Sequence, residues 1–173
     1  GALPIWNSGI EKAAKKGADW LFFLDADDLI RKDVFEAVGS NFSRYDAVWG
    51  TIMELKKGET DPQLRIPQRD VRSIRDLFGN DPFLTLQIGH FVRTEVALTE
   101  LFAPQLDVGE DFHYFLRLWD RYRCVKIRRP LFVNRRGFSS VGQRAGNGSD
   151  WRLVVEKLIR DYRASWRRKR TSR

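Results

Sequence analysis

The chain has 173 residues, of which 42% are hydrophobic and 13% aromatic, and its formal net charge at pH 7 is +8. This length suits one domain with a buried core, and this apolar content excludes a disordered chain. No apolar run approaches the length of a membrane-spanning helix.

The cysteine, histidine and charge patterns bear on the cellular setting, on metal binding and on possible partners. A single cysteine, Cys124, cannot form an internal disulfide, so a reducing, cytoplasmic setting is predicted. His90, His113 and that cysteine give no zinc-like cluster. Residues 163–173 contain basic and no acidic side chains, which invites an anionic partner such as phospholipid or nucleic acid; a solvated basic tail is the alternative.

Helices and strands alternate in the first half of the chain, the order of an α/β unit. Ser8 and Glu11 form a capping box that starts a helix, and Gly17 suits its end. The next predicted elements are a buried strand over 20–24, a helix over 33–38 with Val34, Phe35 and Val38 facing inward and Gly39 at its end, a strand over 45–53, a turn over 56–59 and a weak partner strand over 63–66.

The second half continues the alternation. Its predicted elements are a helix over 71–78, a strand over 84–92, a helix over 94–102, a helix that begins with Glu110 and Asp111, a strand over 123–133, a loop over 135–149 and an amphipathic helix over 151–166. We expect one α/β domain over residues 1–140. We expect residues 141–173 to form a loop and a basic helix that packs on or beside it.

Acidic residues collect where the strand over 20–24 ends. Open α/β sheets bind ligands at the carboxyl ends of their strands, and Asp25 and Asp27, at alternate positions, can turn toward one point. Hard cations such as Mg²⁺ or Mn²⁺ bind carboxylate oxygens and bridge them to substrate phosphates. The alternative is a solvated turn, because aspartate is common in turns and at helix N-caps.

Glu110 and Asp111 form a second acidic pair, in the first turn of a predicted helix. The helix dipole alone favours acids there, by ~0.3–1 kcal/mol. The functional interpretation is that one carboxylate reaches the ligand edge of the sheet and takes a proton from an attacking hydroxyl. Neither acidic pair alone would favour the functional interpretation. The combination of the two separate pairs does.

These motifs resemble those of family 2 glycosyltransferases. Asn7-x-Gly9-Ile10 followed by residues 17–28 resembles their "N-x-G-I … G-x-x-h-x-x-L-D-x-D-D" core. Residues 109–111 with 116–118 resemble "G-E-D … L-R-L", and residues 89–93 resemble the intervening "G-x-x-h-x-R". The order and spacing agree over about residues 1–118. The resemblance implies the GT-A fold, a Rossmann-like α/β fold with a mixed sheet and flanking helices.

The resemblance also implies a role for each acid after the strand. Asp27 would coordinate Mn²⁺ or Mg²⁺ bound to the diphosphate of a sugar-nucleotide donor. Asp25 would help through the ribose of the nucleotide or the metal shell. Asp28 would cap the following loop or approach the acceptor.

The remaining implied site residues lie downstream. Asp111 would be the general base that deprotonates the acceptor hydroxyl, with Glu110 beside it on the acceptor or the donor sugar. Gly89 and His90 would line the donor sugar; a packed or hydrogen-bonded histidine is the alternative for His90. The implied reaction is inverting, metal-dependent transfer of one sugar to a hydroxyl of a glycan or lipid-linked glycan.

Three departures from the family pattern bear on this expectation. The opening strand of the family and its nucleotide-binding acids have no counterpart before Gly1, so we expect a carboxyl-terminal portion that lacks them. Ile5 and Trp6 stand where the family often has Ala-Arg, which removes an arginine contact to the diphosphate. No "Q-x-x-R-W" element is present, which favours transfer of a single sugar.

Two other functions fit part of the sequence. Haloacid dehalogenase-like phosphatases also carry DxD after an apolar strand, but usually with Thr or Val where this chain has Leu29. A catalytically incomplete chain could instead bind a membrane or nucleic acid through the basic last helix, with Trp151, Tyr162 and Trp166 interleaved. Peripheral contact with the inner face of the membrane is compatible with the enzyme, whereas nucleic acid binding leaves the acids unexplained.

Overall fold

A six-stranded mixed sheet forms the centre of the computed structural model, which describes residues 3–106, 108–137 and 147–171. The strands are β1 (Trp20–Phe23), β2 (Leu29–Ile30), β3 (Ala47–Lys56), β4 (Gln63–Leu64), β5 (His90–Arg93) and β6 (Cys124–Arg136). The helices are α1 (Leu3–Lys15), α2 (Val34–Val38), α3 (Asn41–Arg44), α4 (Ile74–Gly79), α5 (Thr94–Thr99), α6 (Glu110–Arg121) and α7 (Asn147–Thr171), and a 3₁₀ turn covers Pro82–Leu84.

The strand order places three strand ends at one edge of the sheet. The order is β1-β5-β3-β6-β2, and β4 pairs with β3 off this path. β3 and β6 are parallel, whereas β5 runs antiparallel to both β1 and β3. Therefore β1, β3 and β6 run in the same direction and their carboxyl ends share an edge. The expected α/β architecture, with a mixed sheet and flanking helices, is confirmed.

Side chains that alternate along β3 feed two separate cores. Ala47 and Trp49 face a large core that α6 covers, and Val48 faces a smaller core with α2. This alternation is the period of a strand buried on both faces. Helix α6, which carries Glu110 and Asp111, therefore packs against a firmly built core.

The last helix is packed against the domain. Val155 is fully buried and Ile159 nearly so, and both belong to the large core. Trp151, Tyr162 and Trp166 are half-buried against the same core. The basic face of α7 is exposed, so its aromatic side chains serve packing first. No described helix is both long and apolar enough to cross a bilayer.

Several predicted boundaries were wrong. Helix α1 begins at Leu3, so Ser8 lies inside it; Trp6 extends the packed face one turn before Ile10. Phe35 is 68% exposed because the five-residue helix buries one face, which carries Val34, Ala37 and Val38.

The predicted strand over 84–92 is also shorter than expected. β5 begins only at His90, since the backbone φ of Gly89 is +117° and interrupts the extended chain. Most of the predicted loop over 135–149 falls at residues 138–146, outside the described residues.

Candidate active site

Asp28 joins the loop after β1 to the end of β6. Its side chain is only 6% exposed and accepts hydrogen bonds from Asn134 Nδ2 at 3.0 and 3.1 Å and from the backbone N–H of Arg135 at 2.8 Å. The Arg135 guanidinium also donates to the backbone carbonyl of Asp27. These bonds tie the loop to β6, and they occupy the carboxylate of Asp28.

The two predicted acidic pairs come together at this edge. Asp25 is half-buried, and its pKa is raised to about 7, first by burial and then by the nearby carboxylates of Asp28, Asp111, Asp27 and Glu110. A buried carboxylate surrounded by others loses its proton reluctantly, because the charged form is neither solvated nor balanced. The acids after β1 and at the start of α6 therefore share one electrostatic environment, although Asp28 and Glu110 are 82 positions apart in the chain.

The acids of this edge fit a divalent cation that takes some of its ligands from elsewhere. Within residues 3–106, 108–137 and 147–171, no three or more Asp, Glu, His or Cys side chains stand close enough to form a complete metal cage. Mg²⁺ commonly uses one or two carboxylates and completes its shell with phosphates and water. Asp25 and Asp27 would form that kind of partial set, and a cation there would offset the repulsion that, after burial, raises the pKa of Asp25.

Asp111 lies in the first turn of α6. Burial raises its pKa, while hydrogen bonds from the Phe112 N–H, at 2.7 Å from Oδ1, and from the Trp151 side chain act in the opposite direction. Glu110, the preceding residue, is half-buried. A desolvated carboxylate held by two donors is oriented and more basic than a solvated one, which are the properties of a general base.

Helix α7 packs directly over the start of α6. The backbone φ of Gly109 is +77°, and a Cβ there would lie 3.1 Å from methyl carbons of both Val155 and Leu158. Glycine is required on both counts, since larger residues avoid this φ and would push α7 away. This close packing brings Trp151 within hydrogen-bonding distance of Asp111.

A cavity of about 470 Å³ opens beside Asp111. Its lining residues are Arg65, Phe83, Leu86, Gln87, Asp111, Trp151 and Arg152. Arg65 is 6% exposed and donates to Glu54 Oε1 at 2.7 Å and Gln87 Oε1 at 2.8 Å. A cavity of this size with a few buried polar groups is typical of a small-ligand site.

Sequence reasoning did not identify Arg65 as a site residue, and it placed Trp151 only on a helix face. Arg65 lies in a segment without a recognisable motif, and its partners are distant in sequence. An arginine between apolar residues in a predicted strand was the one available signal, since a buried guanidinium requires partners.

His90 lies in the aromatic core. It is 0% exposed, its ring stacks on Trp49 with centroids 4.5 Å apart, and burial lowers its pKa to about 3. His90 is thus a packed histidine, and neither ring nitrogen has a hydrogen-bond partner among the described residues. Gly89 is also buried, and a Cβ there would lie 2.2 Å from the Phe132 ring. The glycine therefore lets the segment before β5 pack closely on Phe132 of β6.

Comparison with known proteins identifies the fold. No protein-family model matches the chain, and no curated protein matches it in sequence. The structure is similar to crystal structures of the Staphylococcus aureus glycosyltransferase TarS. For TarS 1-349 the TM-score is 0.58 at 16% identity, over 78% of this chain and 40% of that one. For its complex with UDP-GlcNAc the TM-score is 0.59 at 17% identity, over 90% and 45%.

The chain has a glycosyltransferase fold. A third match, TarS 1-349 in complex with UDP, has a TM-score of 0.57 at 14% identity over 90% of this chain and 43% of that one. The chain thus spans less than half the length of these TarS chains. At such identities the glycosyltransferase fold is what the likeness shows; the acids described above locate the candidate site within it.

Proposed function

We propose that this chain is part of a family 2 glycosyltransferase. The reaction is inverting transfer of one sugar from a nucleotide-diphosphate sugar to a hydroxyl of a glycan or lipid-linked glycan. The observation that carries the proposal is the convergence of Asp25 and Asp27 with Glu110 and Asp111. The glycosyltransferase fold and the UDP-GlcNAc complex of TarS support it.

Asp27 and Asp25 would hold Mn²⁺ or Mg²⁺ beside the donor diphosphate. When bound, such a cation neutralises the charge that builds on the leaving diphosphate. Asp28 acts by holding the loop that carries the other two carboxylates, through its bonds to Asn134 and Arg135. The half-buried position of Asp25 makes a bound cation more effective than it is in water, because screening by solvent is weaker there.

Asp111 takes the proton from the acceptor hydroxyl as that oxygen attacks the sugar. Its carboxylate is oriented by the Phe112 N–H and the Trp151 side chain, and burial raises its pKa, which makes it a better proton acceptor than a solvated aspartate. Glu110 contacts the acceptor or donor sugar beside it. A single displacement on the face opposite the diphosphate inverts the anomeric carbon and forms no covalent intermediate with the protein.

Two substitutions separate donor binding from transfer. In the longest natural protein that contains this chain, Asp27→Ala should abolish Mn²⁺-dependent binding of UDP-GlcNAc in calorimetry. Asp111→Asn should retain donor binding and lose sugar transfer to acceptor. Asp61→Asn, at an exposed turn, is the matched control and should change neither property.

Each assignment has its own refutation. Equal donor affinity of the unmodified protein with Mn²⁺ and with EDTA would contradict the metal assignment. Full turnover by Asp111→Asn would require a different base.

A further inference from the structure

A second cleft, of about 340 Å³, lies between α4 and α7, and we call it the α4–α7 cleft. Its lining residues are Arg75, Phe78, Gly79, Arg163, Trp166 and Arg167. None of them lines the cavity beside Asp111, and none is acidic. The cleft is therefore a separate, positively charged concavity.

The floor of the cleft is aromatic and fixed in place. The Phe78 and Trp166 rings meet edge to face with centroids 5.6 Å apart, and both side chains pack against the large core. The Arg75 guanidinium lies 5.8 Å from the Trp166 ring centroid, a cation–π distance. This contact orients one of the three cations toward the cleft before any ligand is present.

The other two arginines face the cleft from α7. Arg163 and Arg167 are four residues apart and so lie on the same side of the helix, where their like charges repel. Within the described residues, neither they nor Arg75 forms an ion pair with a carboxylate. By contrast, Arg117 and Arg121, also four apart on one helix, share Glu100. Among the described residues, no carboxylate therefore balances the positive charge of the α4–α7 cleft, whereas Glu100 balances that of Arg117 and Arg121.

We propose that the α4–α7 cleft is a second ligand site, which binds a phosphate-bearing anion. Guanidinium groups match phosphate oxygens with two parallel hydrogen bonds, and three of them around one cleft select a multiply charged ligand. Trp166 packs on Phe78 and is half-buried, and the apolar face of α7 is covered by the domain. Binding is thus through the arginines, without insertion of an apolar face into a bilayer. This proposal does not depend on the glycosyltransferase reaction.

The first test is isothermal titration calorimetry, in which inorganic pyrophosphate is added to the whole chain in the presence of EDTA. EDTA removes divalent cations, so the acids at the sheet edge cannot contribute a metal-bound site. Arg163→Gln with Arg167→Gln should weaken binding about tenfold or more, because charge-assisted hydrogen bonds are lost. The control pair, Lys157→Gln with Arg160→Gln, removes the same charge from exposed positions of α7 outside the cleft and should weaken binding less than about twofold.

Gly79 offers a second variant that leaves every arginine in place. Its φ is not left-handed, and a Cβ there meets nothing within 4 Å, so a side chain fits without strain. Gly79→Glu places a carboxylate in the α4–α7 cleft and should weaken pyrophosphate binding, whereas Gly79→Gln, of equal size, should weaken it much less. Circular dichroism and thermal unfolding verify that all variants fold.

A vesicle arm identifies the source of the phosphate. Flotation with phosphatidylglycerol vesicles, against phosphatidylcholine vesicles as the neutral control, tests a lipid headgroup. Cleft-dependent binding of pyrophosphate alone supports a soluble ligand, and cleft-dependent binding of the anionic vesicles supports a headgroup. The proposal is overturned if neither ligand binds, or if the cleft pair and the control pair weaken binding equally in both arms, since the charge of α7 would then act diffusely.

Discussion

Asp25→Asn should make the protein more stable above about pH 7. The pKa of Asp25 is raised from its ordinary 3.8 to about 7, so the folded state resists its ionisation. The free-energy cost of ionising Asp25 in the folded state is absent below the pKa of the unfolded chain. It grows as the pH rises between the unfolded and folded pKa values, and it is complete above the folded pKa. Asparagine has nearly the same shape and cannot ionise, so it removes this cost and leaves the packing almost unchanged.

The size of the effect follows from the two pKa values. Each tenfold change in acidity corresponds to ~1.4 kcal/mol, so a carboxyl displaced from 3.8 to about 7 gives an upper limit of about 4 kcal/mol. Asp25 is half-buried, and solvent screening reduces that limit. We expect the free energy of unfolding to increase by about 1–3 kcal/mol at about pH 8 and to change little at about pH 4.

Urea unfolding followed by circular dichroism, in EDTA across this pH range, measures the difference directly. Asp61→Asn, at an exposed turn, is the control and should show no such pH-dependent gain. Added Mn²⁺ should stabilise the unmodified protein and have a smaller effect on Asp25→Asn. If Asp25→Asn gains no stability relative to the control at about pH 8, the acids do not crowd together as described.

Two further predictions concern packing and the base. Gly89→Ala should lower the free energy of unfolding by about 2 kcal/mol or more, because its Cβ would overlap the Phe132 ring; Gly58→Ala, with φ +92° and open space, should cost about 1 kcal/mol. A similar cost at both glycines in a urea titration would contradict this contact. Trp151→Phe keeps an aromatic ring but deletes the N–H that bonds Asp111, so the acidic limb of the pH–rate profile should move to higher pH, and an unmoved limb would exclude that bond in the active state.

The parts of the fold that sequence predicted are those encoded locally. The strand β1 and the acids after it form a short apolar run that ends abruptly in charge, and both the strand and the turn follow from neighbouring residues. The burial was overestimated, because β1 lies at the edge of the sheet and only Phe23 in it is buried. The hairpin of β3 and β4 was predicted for the same reason: Gly58, with its left-handed φ, lies between two apolar segments. The structure confirms both elements.

The contacts that shape the site were not predictable in this way. Arg65 bonds Gln87 and Glu54, and Trp151 bonds Asp111, across 11 to 40 positions that no local pattern connects. The start of α1 was missed because a serine with a glutamate three residues later fits a capping box, although tertiary packing of Trp6 extends the helix past it. At that position the packing of Trp6 outweighs the local preference of Ser8 for a helix N-cap.

The distribution of partners among the acids argues against the turn interpretation of the DxD motif. At the same sheet edge, Glu54 is paired with Arg65 and Arg136, and the carboxylate of Asp28 is held by Asn134. Asp25 is different, because its strongest electrostatic neighbours are all carboxylates. A turn that served stability alone would gain from a neutral residue there, whereas unbalanced buried charge is characteristic of functional sites. The arrangement is explained if a cation at Asp25 supplies the missing positive charge.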